Sequence, residues 1–482
     1  MRVRRLTSDS HSKSDKKAAS SDITTTRGKQ MRQHRAWRQT RRIGTAVATT
    51  GMLLAGGGIA SATAATAVPH SAKPHSSSVT ITFWDDNGGP RTPIYMHLIP
   101  MFEKENPGIK VKYVGIPDPS VLEKYDTAIA GGDPPDIGAI PGGDLAAIVA
   151  QSALVPLNKL YQSSPLNGKL LPTLLTATAA SSSNDKTLWA LPFSGVPSTL
   201  WCNMVLFRAK HLTCPTTWNA FFTDAKALTN SSKGQYGLTM RGAGGSTNQL
   251  TDEMVSYAGL TSYFTKNGKS TFDSPRAVDF IKRFAAIEGV DTPNDVDNGY
   301  LQMVAEFDSK KIGMMLHNLG SYASNVSALG GASNVVGLTE PQGPYNKPGV
   351  LNMVAPGLDT YGIFKASKNQ AADWKFEEFL LSAQANGYWN QQVGQLPGNS
   401  DVLKQAWVAK QQPIKSMLAA LANPKTVVVP APNYLPQLGT IVTNMDTLWQ
   451  EVLTKQITPQ QWCSTYASQL TSAEYLWTHG HR

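Results

Sequence analysis

The sequence predicts an α/β fold of more than one domain. Three observations carry this. Residues 79–114 read as strand, helix, strand, which implies a parallel sheet with right-handed crossovers. Residues 130–160 read as a loop, a short buried strand, a glycine turn and a helix. Residues 189–199 contain Pro192 and Pro197, which makes the stretch a poor helix and a crossing between lobes. The chain's 482 residues also suit more than one domain.

The elements follow from periodicity and punctuation. Residues 79–84 alternate apolar residues with Thr and form the first strand. A helix is expected over 93–105, with Ile94, Leu98, Met101 and Phe102 on its inner face and a kink at Pro100. Asn106-Pro107-Gly108 stops it, and 109–114 is the next strand. Pro134 and Pro135 delay the third strand to about Asp136. Pro141-Gly142-Gly143 ends that strand, and Asp144 stands at the expected N-cap of the helix beyond. A helix opens at Thr216-Thr217-Trp218 with Phe221, Phe222, Ala225 and Leu228 inward. Ser274-Pro275 starts another, whose stripe is Ala277, Val278, Phe280, Ile281, Phe284 and Ala285 and which Gly289 ends. Residues 312–316 form a strand, 427–429 an extended segment, and 438–476 a mostly helical tail. No internal repeat occurs.

Charge is informative through its placement. The formal charge is +10, but residues 1–67 hold 13 basic and 3 acidic residues, so the remainder carries 31 of each. A basic nucleic-acid-binding face is not supported. Residues 1–67 read as a secretory signal with a long basic n-region, an apolar run at 43–60, and small-residue cleavage sites at Ala62-Thr63-Ala64 and Ala65-Thr66-Ala67. Arg41-Arg42 leaves twin-arginine and general export both open, and an uncleaved anchor is the alternative to cleavage. Residues 68–78 form a polar linker. The chain is therefore expected to be exported, extracellular or cell-surface associated. No cysteine follows the apolar run to carry a lipid. The cysteines are Cys202, Cys214 and Cys463. A Cys202–Cys214 bridge and three buried thiols are both open, and no spacing suits a metal.

Several stretches then resemble one family in order. They are FEKENPGIKVKYV, AGGDPPDIGAI, ALVPLNKL, ALPFSGVPSTLWCNMVLF, CPTTWNAFFTDAKALT, FDSKKIGMM, FKASKNQAADWKFEEFLLS and VGQLPGNSDV. Over roughly residues 79–440 the chain resembles the extracellular solute-binding proteins of carbohydrate ABC importers, of the maltose and multiple-sugar-binding type. The resemblance implies a two-lobe, periplasmic-binding-protein-like (type II) fold with an interlobe cleft and hinge, and sugar ligands. It also implies ABC permease partners in the membrane, and neither cofactor nor catalysis. Three positions depart from the family pattern: Cys202 replaces a Tyr, Lys310 a Gly and Gly313 an Ala. The expected division is 79–192 and 355–397 for the first lobe, and 193–354 and 398–482 for the second. Crossings fall near 191–197, 352–356 and 396–399.

Sugar recognition needs aromatic faces for C–H surfaces and fixed polar groups for hydroxyls. Trp84 ends the first strand and Asp86 and Asn87 follow it, beside Asp85; all three are ligand candidates, Trp84 with a core role as its alternative. Asp144 is a helix cap, a sugar-binding acid, or both. Arg241 sits among glycines that let backbone approach a ligand. His317 and Asn318 follow a strand at the presumed cleft. Asp359 and Tyr361 lie in PGLDTYGIF, read as a loop returning to the first lobe. Tyr434 resembles the family's late stacking aromatic. Gln395 reads as hinge, and Trp218 and Asn203 as structural. Glu377-Glu378 is expected on a solvated helix face, and no Gly-x-Ser-x-Gly, HExxH or P-loop occurs. The reading is a monomeric sugar-binding component of an importer. The alternatives are a secreted glycan-active enzyme and a receptor for a non-sugar solute such as a sugar phosphate or polyamine.

Overall fold

The computed structural model describes residues 78–117, 120–181, 186–287 and 289–480. The signal sequence and all but the last residue of the linker lie outside them. Twelve strands are described: β1 (Val79–Asp85), β2 (Ile109–Gly115), β3 (Ile137–Pro141), β4 (Leu191–Val196), β5 (Ser198–Asn203), β6 (Tyr236–Thr239), β7 (Ile312–Asn318), β8 (Val335–Leu338), β9 (Leu351–Val354), β10 (Gly357–Ile363), β11 (Leu396–Pro397) and β12 (Thr426–Val429).

Two larger sheets divide these strands. The first has the order β11-β4-β10-β3-β1-β2, and the second β6-β7-β5-β8; β9 and β12 pair by themselves. β1 is parallel to β2 and β3, as a βαβ start requires. β10 is antiparallel to both β3 and β4. The expected parallel sheet is therefore mixed, because the chain re-enters it from the opposite end. The passages between sheets are short. Pro197 alone separates β4 from β5, Ala355-Pro356 separates β9 from β10, and β11 leads through Gly398 into the second lobe's last part.

Helices cover both faces of the first sheet. On one side Phe83, Tyr95, Phe102, Tyr361, Phe376 and Trp389 pack among the helices Thr92–Glu105, Gln370–Leu380 and Ala383–Val393. On the other, Tyr125, Ile140, Ile148 and Phe364 form a smaller core. The first helix is continuous through Pro100. In the second lobe, β5 shows the period of two directly. Leu200 and Cys202 face the core that holds Trp218, Phe280 and Trp449, while Trp201 faces the opposite one with Phe307 and Met315. The helix Pro275–Ala285 buries the expected stripe except Ala285, which is half-buried, and stops short of Gly289, which lies at φ +85° in the turn beyond. Among the described residues no helix is long and apolar enough to cross a membrane.

The three departures from the family pattern have local explanations. Cys202 is bridged to Cys214 with Cα atoms 5.8 Å apart, and Cys463 is buried and free. Gly313 packs so closely on Leu228 and the carbonyl of Gly237 that an alanine Cβ would lie 2.7 Å and 2.9 Å from them. Lys310 takes φ +72°, the left-handed region that a glycine adopts without strain. Asn203 holds this turn, donating Nδ2 to the carbonyls of Lys310 and Ile312 at 3.3 and 3.1 Å. Lys310→Gly should therefore raise the unfolding free energy by about 1 kcal/mol, read as a higher urea midpoint. An unchanged or lower midpoint would show that the turn is unstrained.

Glu377 corrects the expected solvated face. It is fully buried, and burial first and then Asp373 raise its carboxyl far above the ordinary range. Its helix is wedged between the sheet and the first helix, so charge appears on an inward position.

Candidate functional site

The strand registers place the candidate residues on two facing edges. In the first sheet the ends of β1, β3 and β4 and the start of β10 share one edge, since Asp359 pairs with Pro141 and Gly357 with Val196. In the second sheet Ser198 pairs with Asn318 and Leu200 with Leu338, while β6 runs parallel to β7. The end of β6, the end of β7, the start of β5 and the end of β8 thus share the edge that opens from Pro197.

At the first edge, Arg91 is the organising charge. Its guanidinium donates to Asp86 Oδ1 at 2.7 Å and to Asp359 Oδ2 at 3.0 Å, and lies 5.0 Å over the Trp389 ring. Burial opposes its charge, but Asp359, Asp86 and Asp85 overcome this and raise its pKa above the usual arginine value. Asp85 accepts from the Tyr113 hydroxyl at 2.8 Å. Burial, reinforced by Asp86, pushes it up to about 7.

This network engages three of the residues expected to contact ligand. Asp86 and Asp359 are buried at 4% and 7% exposure and engaged with Arg91. Tyr361 is 1% exposed, stacks on Phe193 with centroids 4.0 Å apart and shares a 2.9 Å hydroxyl bond with Tyr95. The physical reason is that PGLDTYGIF is a central strand, not a loop. From β10, Asp359 reaches Arg91 and Tyr361 reaches Tyr95. Trp84 is half-buried against Tyr125, 5.5 Å between centroids.

Asn87 lies above this network and reaches the other lobe. Its Oδ1 accepts from the Tyr300 hydroxyl at 2.9 Å. The Tyr300 ring lies nearly parallel to His317, 12° apart with centroids at 5.9 Å, and the Arg241 guanidinium sits 5.6 Å over the same ring. Burial and then Arg241 lower His317 to about 3, so its imidazole is neutral. Arg241 folds back to donate Nε to the Gly244 carbonyl at 2.6 Å. Gly245 permits this: a Cβ there would lie 2.2 Å from the guanidinium. The glycine loop is fixed by Asp446, which accepts from the amides of Gly245 and Thr247 at 2.6 and 2.8 Å.

Thus Asn87, Arg241 and His317 are brought together, with Tyr300 as the partner that the sequence did not signal beyond an aromatic after Asp297-Asn298-Gly299. Asp144 is in the first turn of the helix Gly142–Ala150 rather than at its N-cap, which is Pro141. It faces the start of the helix Leu438–Leu453, where a Cβ on Gly439 would lie 2.8 Å from its Oδ1. Asn318 caps the next turn, accepting from the Gly320 amide at 2.8 Å. Tyr434 is elsewhere: its hydroxyl donates to Glu474 at 2.7 Å and its ring packs near Trp477, so the C-terminal helix accounts for it. Gln395 accepts from Ser194 at 2.7 Å beside β11, at a passage between lobes.

Comparison with known proteins places this geometry. Residues 88–387 match the family described as bacterial extracellular solute-binding protein. A binding protein of Brucella abortus (strain 2308) is 24% identical over 339 residues, spanning 69% of this chain and 79% of that protein. The solved structure of an ABC transporter solute-binding protein from Thermotoga lettingae, bound with α-D-tagatose, superposes with a TM-score of 0.72 at 20% identity. That match covers 82% of this chain and 100% of the other. The GacH receptor of Streptomyces glaucescens, solved unliganded and with acarbose, gives a TM-score of 0.71 at 22% identity, covering 83% and 99%.

Two outcomes follow from the site. Tyr300→Phe removes a bond between lobes that contributes about 0.5–1.5 kcal/mol, so small-angle scattering should show a larger radius of gyration for the ligand-free variant. An unchanged radius would mean that this bond does not hold the lobes together. Asp85 is raised when folded, so the stability it contributes is complete below the ordinary carboxylate value and is lost as pH rises through about 7. Asp85→Asn should accordingly gain about 1–2 kcal/mol relative to the parent at about pH 8 and show no gain near pH 4, measured by urea unfolding at both pH values.

Proposed function

We propose, from the premise that the chain belongs to the bacterial extracellular solute-binding protein family, that it binds a mono- to oligosaccharide outside the cytoplasm and delivers it to an ABC permease. One observation carries the reading: Asn87 of one lobe meets Tyr300, His317 and Arg241 of the other where the two strand edges face each other. Such a site makes contacts from both lobes only when they approach. A ligand that touches both therefore draws the open–closed equilibrium toward closure by its differential affinity for the closed state.

The chemistry of the group suits a polyol. Neutral His317 offers one donor and one acceptor, Arg241 offers charged donors, and Asn87 offers both kinds. The tagatose and acarbose complexes of similar folds agree with this ligand class. The permease is the partner, the protein acts as a monomer, and the basic leader directs export. No catalytic role is assigned to any residue.

Calorimetry against a panel of mono- and oligosaccharides tests the proposal. Saturable heat, a smaller radius of gyration in the complex and an unchanged saccharide after incubation are expected. Arg241→Ala or His317→Ala should weaken binding about tenfold or more, the loss expected for hydrogen bonds involving a charged or buried group. Release of a shortened saccharide, or no saturable heat with any sugar, would overturn it.

A further inference from the structure

Along the second lobe's edge the charge changes sign. Arg241 ends the side built by β6, whereas acids gather where β5 starts and β8 ends. Ser198, the first residue of β5, donates to Asp252 Oδ2. Glu340 follows β8 by two residues and lies near enough to Ser198 for the hydroxyl to favour its ionised form. Glu253, beside Asp252 on the helix Ser246–Ala258, is opposed in its ionisation by both Asp252 and Glu340. Three carboxyl groups, two from the helix Ser246–Ala258 and one from the segment after β8, thus lie around Ser198 beside Pro197, the passage between sheets.

These acids lack a counter-charge. Among the described residues, no lysine, arginine or histidine forms an ion pair with them. Glu253 and Glu340 are 1% and 3% exposed, and each leaves its Oε2 buried without a hydrogen-bond partner. Gln249 donates Nε2 to Glu253 Oε1 at 3.0 Å, and its own Oε1 is buried and unpartnered as well. Asp252 is half-buried. Burial raises all three carboxyls, Asp252 to about 7 and the glutamates well above their ordinary value. Buried polar groups are ordinarily paired, and three orphan acceptors in one cluster ask for a donor that the chain does not supply.

A metal ion is not what fits: no group of three His, Cys, Asp or Glu among the described residues is arranged to hold one. A protonated amine fits better. It carries a single positive charge and three N–H donors, matching Glu253 Oε2, Glu340 Oε2 and Gln249 Oε1 in number. It also supplies the pairing that lets buried carboxylates ionise.

We propose that the cleft takes a ligand bearing a protonated nitrogen, an amino sugar, with that nitrogen seated at Asp252, Glu253 and Glu340. This rests on the sugar-binding reading of the same cleft and adds the charge of its ligand.

Calorimetry with glucosamine and chitosan disaccharide, against glucose, N-acetylglucosamine and chitobiose, tests it, with spermidine as an amine that is not a sugar. The amino sugars should bind about tenfold or more tighter than their N-acetylated partners. Glu340→Gln and Asp252→Asn should each reduce that preference by about tenfold. Both substitutions keep side-chain shape and remove a buried acid, and circular dichroism melts establish that the variants fold. Equal or tighter binding of the neutral sugars would overturn the amine site and leave the sugar reading standing. Binding of spermidine alone, abolished by Glu340→Gln, would support the amine site and overturn the sugar reading. Absence of heat in every arm would overturn the amine site and the sugar reading together.

Discussion

The structure depends on a constraint one residue long. Pro197 separates β4, paired within one sheet, from β5, paired within the other. Proline has no amide N–H to give a ladder and holds φ near −65°, so the chain leaves one sheet there and enters the next without a loop. With no slack, the end of β4 and the start of β5 lie at neighbouring edges. Every strand end in register with them is carried to the same edges. The meeting of Asn87 with Tyr300, and the gathering of acids around Ser198, are consequences of register on either side of that residue.

Much of this was legible in residue order because it is local. The βαβ beginning, the stripe of the helix Pro275–Ala285 and the proline-bearing crossing each depend on spacings within about twenty residues. Asn87 and Arg241 follow strands and His317 lies in the last two residues of one, and a residue placed at a strand end keeps its position whatever the rest of the fold does. Asp359 and Tyr361 misled for the opposite reason. Glycines and a proline flank them, yet they lie on a strand buried on both faces, where Arg91 and Tyr95 arrive from 268 and 266 residues away. Glu377 misled because an acid in a helix usually marks the wet face. Tyr300 carried no local mark, since its role comes from a partner 213 residues distant.

The two lobes handle buried charge differently. In the first, three acids surround one arginine, and Asp85, the one without a direct bond to the guanidinium, is pushed up to about 7 by burial and by Asp86. Asp86 and Asp359 hold Arg91, and Arg91 in turn holds the β1 loop that presents Asn87. That arrangement makes a fixed support. In the second lobe the acids near Ser198 have no such partner, and the chain carries the cost of keeping them neutral.

Such a cost is hard to explain as architecture. Replacing a buried, unpaired acid by an apolar or amide side chain generally stabilises a fold, so groups of this kind persist where they serve something outside the fold. Their position narrows what that is. They sit beside Pro197 on the edge that meets Asn87 through Tyr300, at the opposite end of that edge from Arg241. A ligand lying along the edge meets a cation first, a neutral imidazole and an aromatic ring next, and carboxyl groups last. A molecule uniform in charge would leave one end of that gradient unsatisfied on closure, whereas one with hydroxyls toward Arg241 and a basic nitrogen toward Ser198 would satisfy both.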